Sequence, residues 1–373
     1  MEKEGYIYLD YNATTPVLQE VLKVFEFYAS EEFGNASSGH RFGRRAKEAL
    51  EKAREAILKA LSFESGEVIF TSGGTEANHL ALFGIVFNYP KAHILVSAFE
   101  HPSILLPATK LLEKGYEVDF IPVSPEGYID PVDVKKRIKP HTKLVSIMFA
   151  NNEIGTIQPI KEIATLTRER EIYFHTDACQ AVGKIPVNFS EFSVDLITLA
   201  GHKIYAPKGI GALIMRKGIK LKPLFLGGGQ ERGLRAGTEP IALIAALAKA
   251  CEIVTRDVWG ESERLLYLRE KLYEGLKEIY PKLYRYGIPD KTLPNTLTVS
   301  FRGLKGWEIL ENIPQICAST GSACHDRKIS NTLLALKVEE DIAMGTIRFS
   351  LGKYTTLQHI EQTLQIFNNY FSK

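Results

Sequence analysis

From residue 41 to 216 short apolar runs alternate with amphipathic stretches. Between residues 41 and 61, Ala46, Ala49, Leu50, Ala53, Ala56, Ile57, Ala60 and Leu61 recur at helical spacing on one face. The runs at 68–70, 94–96, 118–123, 144–149, 172–175 and 196–199 are apolar on both sides, and most are separated by a helical segment such as 103–113 or 160–170. Strands that hide both faces and are joined by helices predict an α/β fold with a mostly parallel, buried sheet. Residues 240–280 read as one long helical stretch bounded by Pro240 and Pro281. Strand patterns at 296–301 and 347–351, mixed with a helix at 356–370, then predict a smaller α+β domain. The expected division is a large domain over 13–250 and a small one built from 1–12 and 251–373.

At 373 residues the chain exceeds what a single core usually serves, which agrees with two domains. Its 45% hydrophobic and 24% charged residues are ordinary for a globular protein. A formal charge of +2 gives no electrostatic reason to expect nucleic acid or an anionic membrane as partner. Cys179, Cys251, Cys317 and Cys324 are too scattered for a disulfide framework, and no C-x-x-C or H-E-x-x-H pattern suggests a metal. The first eleven residues lack the apolar run of a signal peptide, and the longest apolar stretch, 241–248, is too short for a membrane helix. The expectation is a soluble, cytoplasmic protein.

Ligands of open parallel sheets bind beyond the carboxyl ends of the strands, so the residues after each strand matter most. After the first run comes Ser72-Gly73-Gly74-Thr75-Glu76-Ala77, a glycine turn into a helix that is either a plain connection or a phosphate cup. It is not a Walker A motif, because no Gly-Lys-Ser/Thr follows. Gly227-Gly228-Gly229 lacks the strand–helix setting of a dinucleotide fingerprint. After 172–174 comes Asp177, which is either a helix cap or the partner of a pyridinium nitrogen. After 195–199 comes Gly201-His202-Lys203; a lysine there is either solvated or desolvated enough to form a Schiff base. Together the three segments meet three needs of one cofactor: a phosphate cup, a pyridine partner and an amine.

In these segments the chain resembles the class V aminotransferase-type proteins, specifically the cysteine desulfurase and selenocysteine lyase family. The resemblance runs through residues 9–16, 70–78, 100–102, 151–155, 175–180, 201–203, 227–238 (GGGQERGLRAGT), 321–324 and 348–350. It implies a pyridoxal 5'-phosphate enzyme of fold type I working as a homodimer. By that likeness Lys203 forms the Schiff base, Asp177 pairs with the pyridine nitrogen, and His101 stacks on the ring and moves protons. Gln180 contacts the ring hydroxyl, Gly74, Thr75 and His202 hold the phosphate, and Thr238 reaches the phosphate of the partner subunit. Asn152 meets the ring or the substrate, Asn12 is a further substrate contact, and Arg348 suits the substrate carboxylate, although taken alone Arg348 also fits a surface ion pair.

Cys251 and Cys317 have the apolar surroundings of inert thiols. Cys324 instead lies among small and polar neighbours, with His325, Arg327 and Lys328 to favour its thiolate. It matches the family's persulfide-forming cysteine. The implied reaction converts L-cysteine to L-alanine and leaves sulfur on Cys324 for iron–sulfur cluster or thio-cofactor assembly through an acceptor protein. Release of selenide from L-selenocysteine is the alternative, and a non-catalytic scaffold is the reading from another class. Ala200 stands where many desulfurases carry a serine that assists the phosphate, and the segment after Cys324 lacks their Glu-Pro-Ser. Cys179 reads as packing beside the cofactor.

Overall fold

The computed structural model describes residues 5–320 and 329–372. In its first 216 residues the strands are β1 (Ile7–Tyr8), β2 (Gly66–Thr71), β3 (His93–Ser97), β4 (Glu117–Ile121), β5 (Thr142–Ser146), β6 (Tyr173–Asp177), β7 (Leu196–Ala200) and β8 (Gly211–Arg216). Beyond them lie β9 (Leu283–Arg285), β10 (Thr296–Phe301), β11 (Ile316–Cys317), β12 (Ser319–Thr320) and β13 (Thr346–Ser350). The helices that matter below are α1 (Gln19–Ser30), α2 (Arg41–Ala60), α3 (Gly74–Val86), α4 (Pro102–Glu113), α5 (Pro131–Arg137), α6 (Ile160–Arg168), α7 (Ile241–Arg256) and α8 (Val258–Ile279).

The large sheet has the order β2-β8-β7-β6-β5-β3-β4. Strands β7, β6, β5, β3 and β4 are mutually parallel, whereas β8 runs antiparallel to both β2 and β7. Alternating side chains feed two cores. Val68, Phe70, Leu95, Val145, Ile197, Leu199, Ala212 and Ile214 join the core under α2, α6 and α7. Ile69, Ile94, Val96, Leu144, Leu196, Leu213 and Met215 join the core under α3 and α4. This two-sided burial is why the strands read as continuous apolar runs. The antiparallel β8 was not expected. It follows β7 after a short link without an α-helix, and a short link returns the chain antiparallel.

The expected single helix over 240–280 is two helices. The chain breaks at Asp257 (φ −135°, ψ 54°), whose side chain accepts from the Gly260 N–H and starts α8. Helix α7 packs on α1 and α2, whereas α8 packs on the C-terminal helix Leu357–Phe371. The smaller sheet, β12-β13-β10-β9, is antiparallel, and β1 pairs in parallel with β11 beside it. The chain start is therefore tied to the C-terminal part, and the Leu9 carbonyl accepts from Ser350 N at 2.7 Å. Among the described residues, no helix is long and apolar enough to cross a membrane.

Candidate active site

Two adjacent parallel strands deliver the centre of the site. Asp177 is the last residue of β6 and is registered against Thr198 of β7. After β7 the chain enters a 3-10 turn, Gly201–Lys203, that lifts Lys203 over the end of the sheet. The turn is fixed by Gly201 N donating to Ile210 O and by Thr15 N donating to His202 O.

The Lys203 ammonium donates to the backbone oxygens of Asn12 (2.5 Å) and Ala13 (2.8 Å). Burial lowers its pKa, and the nearby Arg348 charge acts in the same direction, while Cys179, Asp177 and Asp10 oppose the shift. Asp177 accepts from Asn78 Nδ2 (2.8 Å) on one oxygen and from the Cys179 N–H (3.0 Å) on the other. The same Asn78 Nδ2 donates to Ser103 Oγ at 2.8 Å. Ser103 in turn bonds His101 Nδ1 through its hydroxyl (2.7 Å) and its backbone N–H (3.1 Å). An imidazole nitrogen that accepts a backbone N–H has no proton of its own, so neutral His101 carries its proton on Nε2. Burial keeps that imidazole's pKa below its ordinary value.

Helix α3 starts at Gly74 beside this cluster, and Thr75 is exposed at its first turn. The first N–H groups of a helix have no intrahelical partner and suit an anion. The cup is close-walled: a Cβ on Gly74 would lie 3.2 Å from Cys179 Sγ and 3.3 Å from Ala200 Cβ. Ala200 and Cys179 therefore act as its apolar floor, and burial raises the Cys179 thiol's pKa well above its usual value. His202 Nδ1 is 3.2 Å from Thr14 Oγ1, and burial, then the Lys203 charge, lowers this imidazole to about 4. It stays neutral at pH 7. A helix start, an acceptor-only carboxylate and an enclosed amine fit a phosphorylated pyridine aldehyde.

On the other side of Lys203, Arg348 of β13 is nearly buried. Its Nη2 donates to Asp10 Oδ1 (2.7 Å) and Ser319 Oγ (3.0 Å), and its Nη1 to Asn152 O (2.9 Å). Among the described residues its buried Nε has no hydrogen-bond partner. The bland alternative of a surface ion pair does not describe this arginine. Asn152 meets the site through its backbone oxygen, which accepts from both Arg348 and Asn12. Asn12 departs from the expected substrate contact: its side chain is 1% exposed and bonds Asn152 O, Thr296 Oγ1 and Asn295 Nδ2. Its backbone oxygen faces the site, where it accepts from Lys203 and from Gln180 Nε2 (3.0 Å).

Thr238 is exposed at the end of the glycine-rich loop. That loop is anchored by Glu231, which takes Arg54 on both oxygens (2.8 and 3.0 Å) and the Phe70 N–H (2.8 Å). Arg235 further bonds Glu76 at 2.9 Å, and Glu76 accepts the Ser72 N–H. Cys324, together with Gly321 through Lys328, lies outside the described residues. Cys251 is fully buried, and its thiol is pushed up to about 12, as expected of an inert cysteine. Sequence reasoning passed over Asn78, Ser103, Asp10 and Ser319, which touch the site residues rather than the reaction. An asparagine at the start of the apolar part of α3 was the available signal.

The aminotransferase class-V family model matches residues 7–363. The chain is 44% identical to "Cysteine desulfurase IscS" of Dictyoglomus turgidum, over 98% of this chain and 95% of that protein. It is 43% identical to the protein of the same name from Methanosarcina thermophila, over 96% of this chain and 90% of that one. The solved structure of a "NIFS-LIKE PROTEIN" superposes with a TM-score of 0.92 at 35% identity, over 98% of this chain and 99% of the other. A NifS-like protein from Rickettsia africae gives 0.87 at 31% identity, over 99% of this chain and 100% of the other. The chain belongs to the class-V aminotransferase family and, within it, to the cysteine desulfurases.

Proposed function

We propose that this protein is a pyridoxal-phosphate-dependent cysteine desulfurase, converting L-cysteine to L-alanine and taking the sulfur onto Cys324. The observation that carries this reading is the pairing of Lys203 and Asp177 at the ends of neighbouring strands, with Arg348 beside them. Lys203 is held by neutral carbonyls, and its depressed pKa raises the fraction of free amine, the form that attacks an aldehyde. Asp177 would face the pyridine nitrogen with both oxygens already oriented by Asn78 and the Cys179 N–H. The start of α3, with Gly74 and Thr75, and His202 would hold the phosphate; Thr238 would do so across a homodimer. Bound pyridoxal phosphate supplies the electron sink for the charge left when the Cα proton departs.

His101 would stack on the ring and hold or pass that proton at Nε2. Arg348 would take the substrate carboxylate, with Asn152 beside it. The Cys324 thiolate attacks the substrate sulfur and the Cβ–S bond breaks; its electron pair stays with the Cβ fragment, which takes one proton at Cβ and regains one at Cα to become alanine. The sulfur remains on Cys324 as a persulfide for an acceptor protein in iron–sulfur cluster or thio-cofactor assembly. A reducing, cytoplasmic setting suits a reaction that needs Cys324 as a thiol. Exposed Phe225 (53%) and Leu226 (88%), next to the loop of Thr238, support the homodimer. The division into 13–250 and 1–12 with 251–373 fits the two sheets, with Asp257 as the natural break.

Borohydride reduction of the protein with pyridoxal phosphate, followed by peptide mapping, tests the cofactor reading. The phosphopyridoxyl group is expected on Lys203. Its absence, or its attachment to another lysine, would overturn the assignment.

A further inference from the structure

Lys184 has no task in the account above, yet it is only 7% exposed. Among the described residues its ammonium has the Gln180 side-chain oxygen, not a carboxylate, as its hydrogen-bond partner. Burying an ammonium without a counter-charge is costly. Burial, aided by the charge of Lys203, brings its pKa down to about 7. Such a residue calls for an explanation.

The local fold puts it there. After β6 the chain makes a helical turn, with Val182 N and Ala181 N both donating to Ala178 O. Gly183 then takes φ +75°, a conformation glycine adopts freely, and lies so close to α7 that a Cβ would meet Val254 Cβ at 2.7 Å. The reversal brings Lys184 back under Gln180.

The two ends of the Gln180 amide are then fixed independently. An ammonium only donates, so the amide oxygen faces Lys184; a backbone carbonyl only accepts, so the NH2 faces Asn12 O. One N–H of Gln180 is spent on Asn12, whose oxygen also receives Lys203 Nζ, and the second remains for a further acceptor.

We propose that Lys184 is a positioning residue: by holding the Gln180 side-chain oxygen it keeps the amide N–H turned toward Lys203, where the hydroxyl of a pyridine ring would accept it. The inference rests on the cofactor reading given under the proposed function. It assigns Lys184 no contact with substrate or cofactor.

The test is titration of pyridoxal phosphate into apo-protein of the parent chain, Lys184→Met, Gln180→Leu and the double variant. The readouts are the dissociation constant, the visible absorption of the bound cofactor and the melting temperature of each apo-protein. Loss of one charge-assisted hydrogen bond should weaken binding by about tenfold in Lys184→Met. Its absorption band should move in the same direction as that of Gln180→Leu, and the double variant should match Gln180→Leu alone. The apo Lys184→Met protein should melt no lower than the parent, because an apolar side chain replaces a buried charge. The inference is overturned if Lys184→Met binds like the parent, if the two effects multiply, or if the variant melts lower and so marks a merely structural role. If Gln180→Leu itself binds like the parent, the cofactor contact of Gln180 fails first and this inference falls with it.

Discussion

Asp177 and His101 are joined through a single side-chain amide: Asn78 Nδ2 donates to Asp177 Oδ2 and to Ser103 Oγ, each at 2.8 Å, and Ser103 holds His101 Nδ1. The residue expected to pair with the pyridine nitrogen and the one expected to stack on the ring are thus set by the same donor. Asn78→Ala should cost about 1–3 kcal/mol of stability, because it leaves a buried carboxylate oxygen without its donor. It should also lower desulfurase turnover by roughly tenfold or more through both partners. Denaturant unfolding and alanine release measure the two effects, and parent-like turnover would contradict the link.

The glycine-rich loop hangs on Glu231. This side chain is buried at 4% exposure with Arg54, and Glu231 and Arg232 both sit at positive φ. Glu231→Gln removes the buried carboxylate partner of Arg54 and leaves it the more exposed Glu51 at 3.3 Å, so it should cost about 3 kcal/mol. Replacing both, Arg54→Met with Glu231→Gln, should cost less than the sum of the single changes. Chemical denaturation of the three variants checks this, and additivity would show that the pair is not coupled.

Gly211 opens β8 against the turn at Gly73 that leads into α3. A Cβ there would come within 2.6 Å of the Gly73 carbonyl carbon and 2.7 Å of Leu199 O. Backbone on both sides cannot swing aside as a side chain can, so Gly211→Ala should destabilise by about 1–3 kcal/mol. It should also push Gly73 and the start of α3 off register and weaken pyridoxal-phosphate binding. A variant with unchanged melting temperature and cofactor affinity would refute the tight wall.

Two buried groups set opposite pH limits. Burial lifts the Glu100 carboxyl from 4.5 to about 8, so the folded state holds a proton that the unfolded chain gives up between those values. Its contribution is complete below pH 4.5 and is lost as pH rises through 8. His175, pressed between Ser146 and Thr198, is lowered by burial from 6.5 to about 4. Its contribution is complete above pH 6.5 and is lost as pH falls through 4. Glu100→Gln should therefore flatten the alkaline limb of a stability–pH curve and leave the acid limb in place. An unchanged alkaline limb would contradict the Glu100 assignment.

Most of the strands β2 through β7 were legible because they are buried on two faces and read as apolar runs, while the edge strand β4 is partly exposed. The placement of Asp177 and Lys203 at the ends of neighbouring strands was legible because apolar runs mark where strands stop. β8 was missed because strand order is not written in local periodicity. The break at Asp257 was missed because α7 and α8 are both amphipathic, and a lone aspartate between them looks like any helix surface residue. Asn12 was read as a substrate contact, yet its side chain is a buried hub between Asn152, Asn295 and Thr296. Partners that far apart in sequence meet only in the fold. Asn78 escaped for the same reason, whereas Lys184 escaped because its burial is set by the fold and not by its partner four residues away.

The central claim is sulfur abstraction onto Cys324, and mass spectrometry after L-cysteine treatment tests it most directly. The holoprotein should gain one sulfur atom on the peptide containing Cys324 while releasing an equal amount of alanine, and Cys324→Ser should lose the added sulfur while keeping the cofactor on Lys203. Absence of alanine release, or sulfur located on another cysteine, would contradict the account.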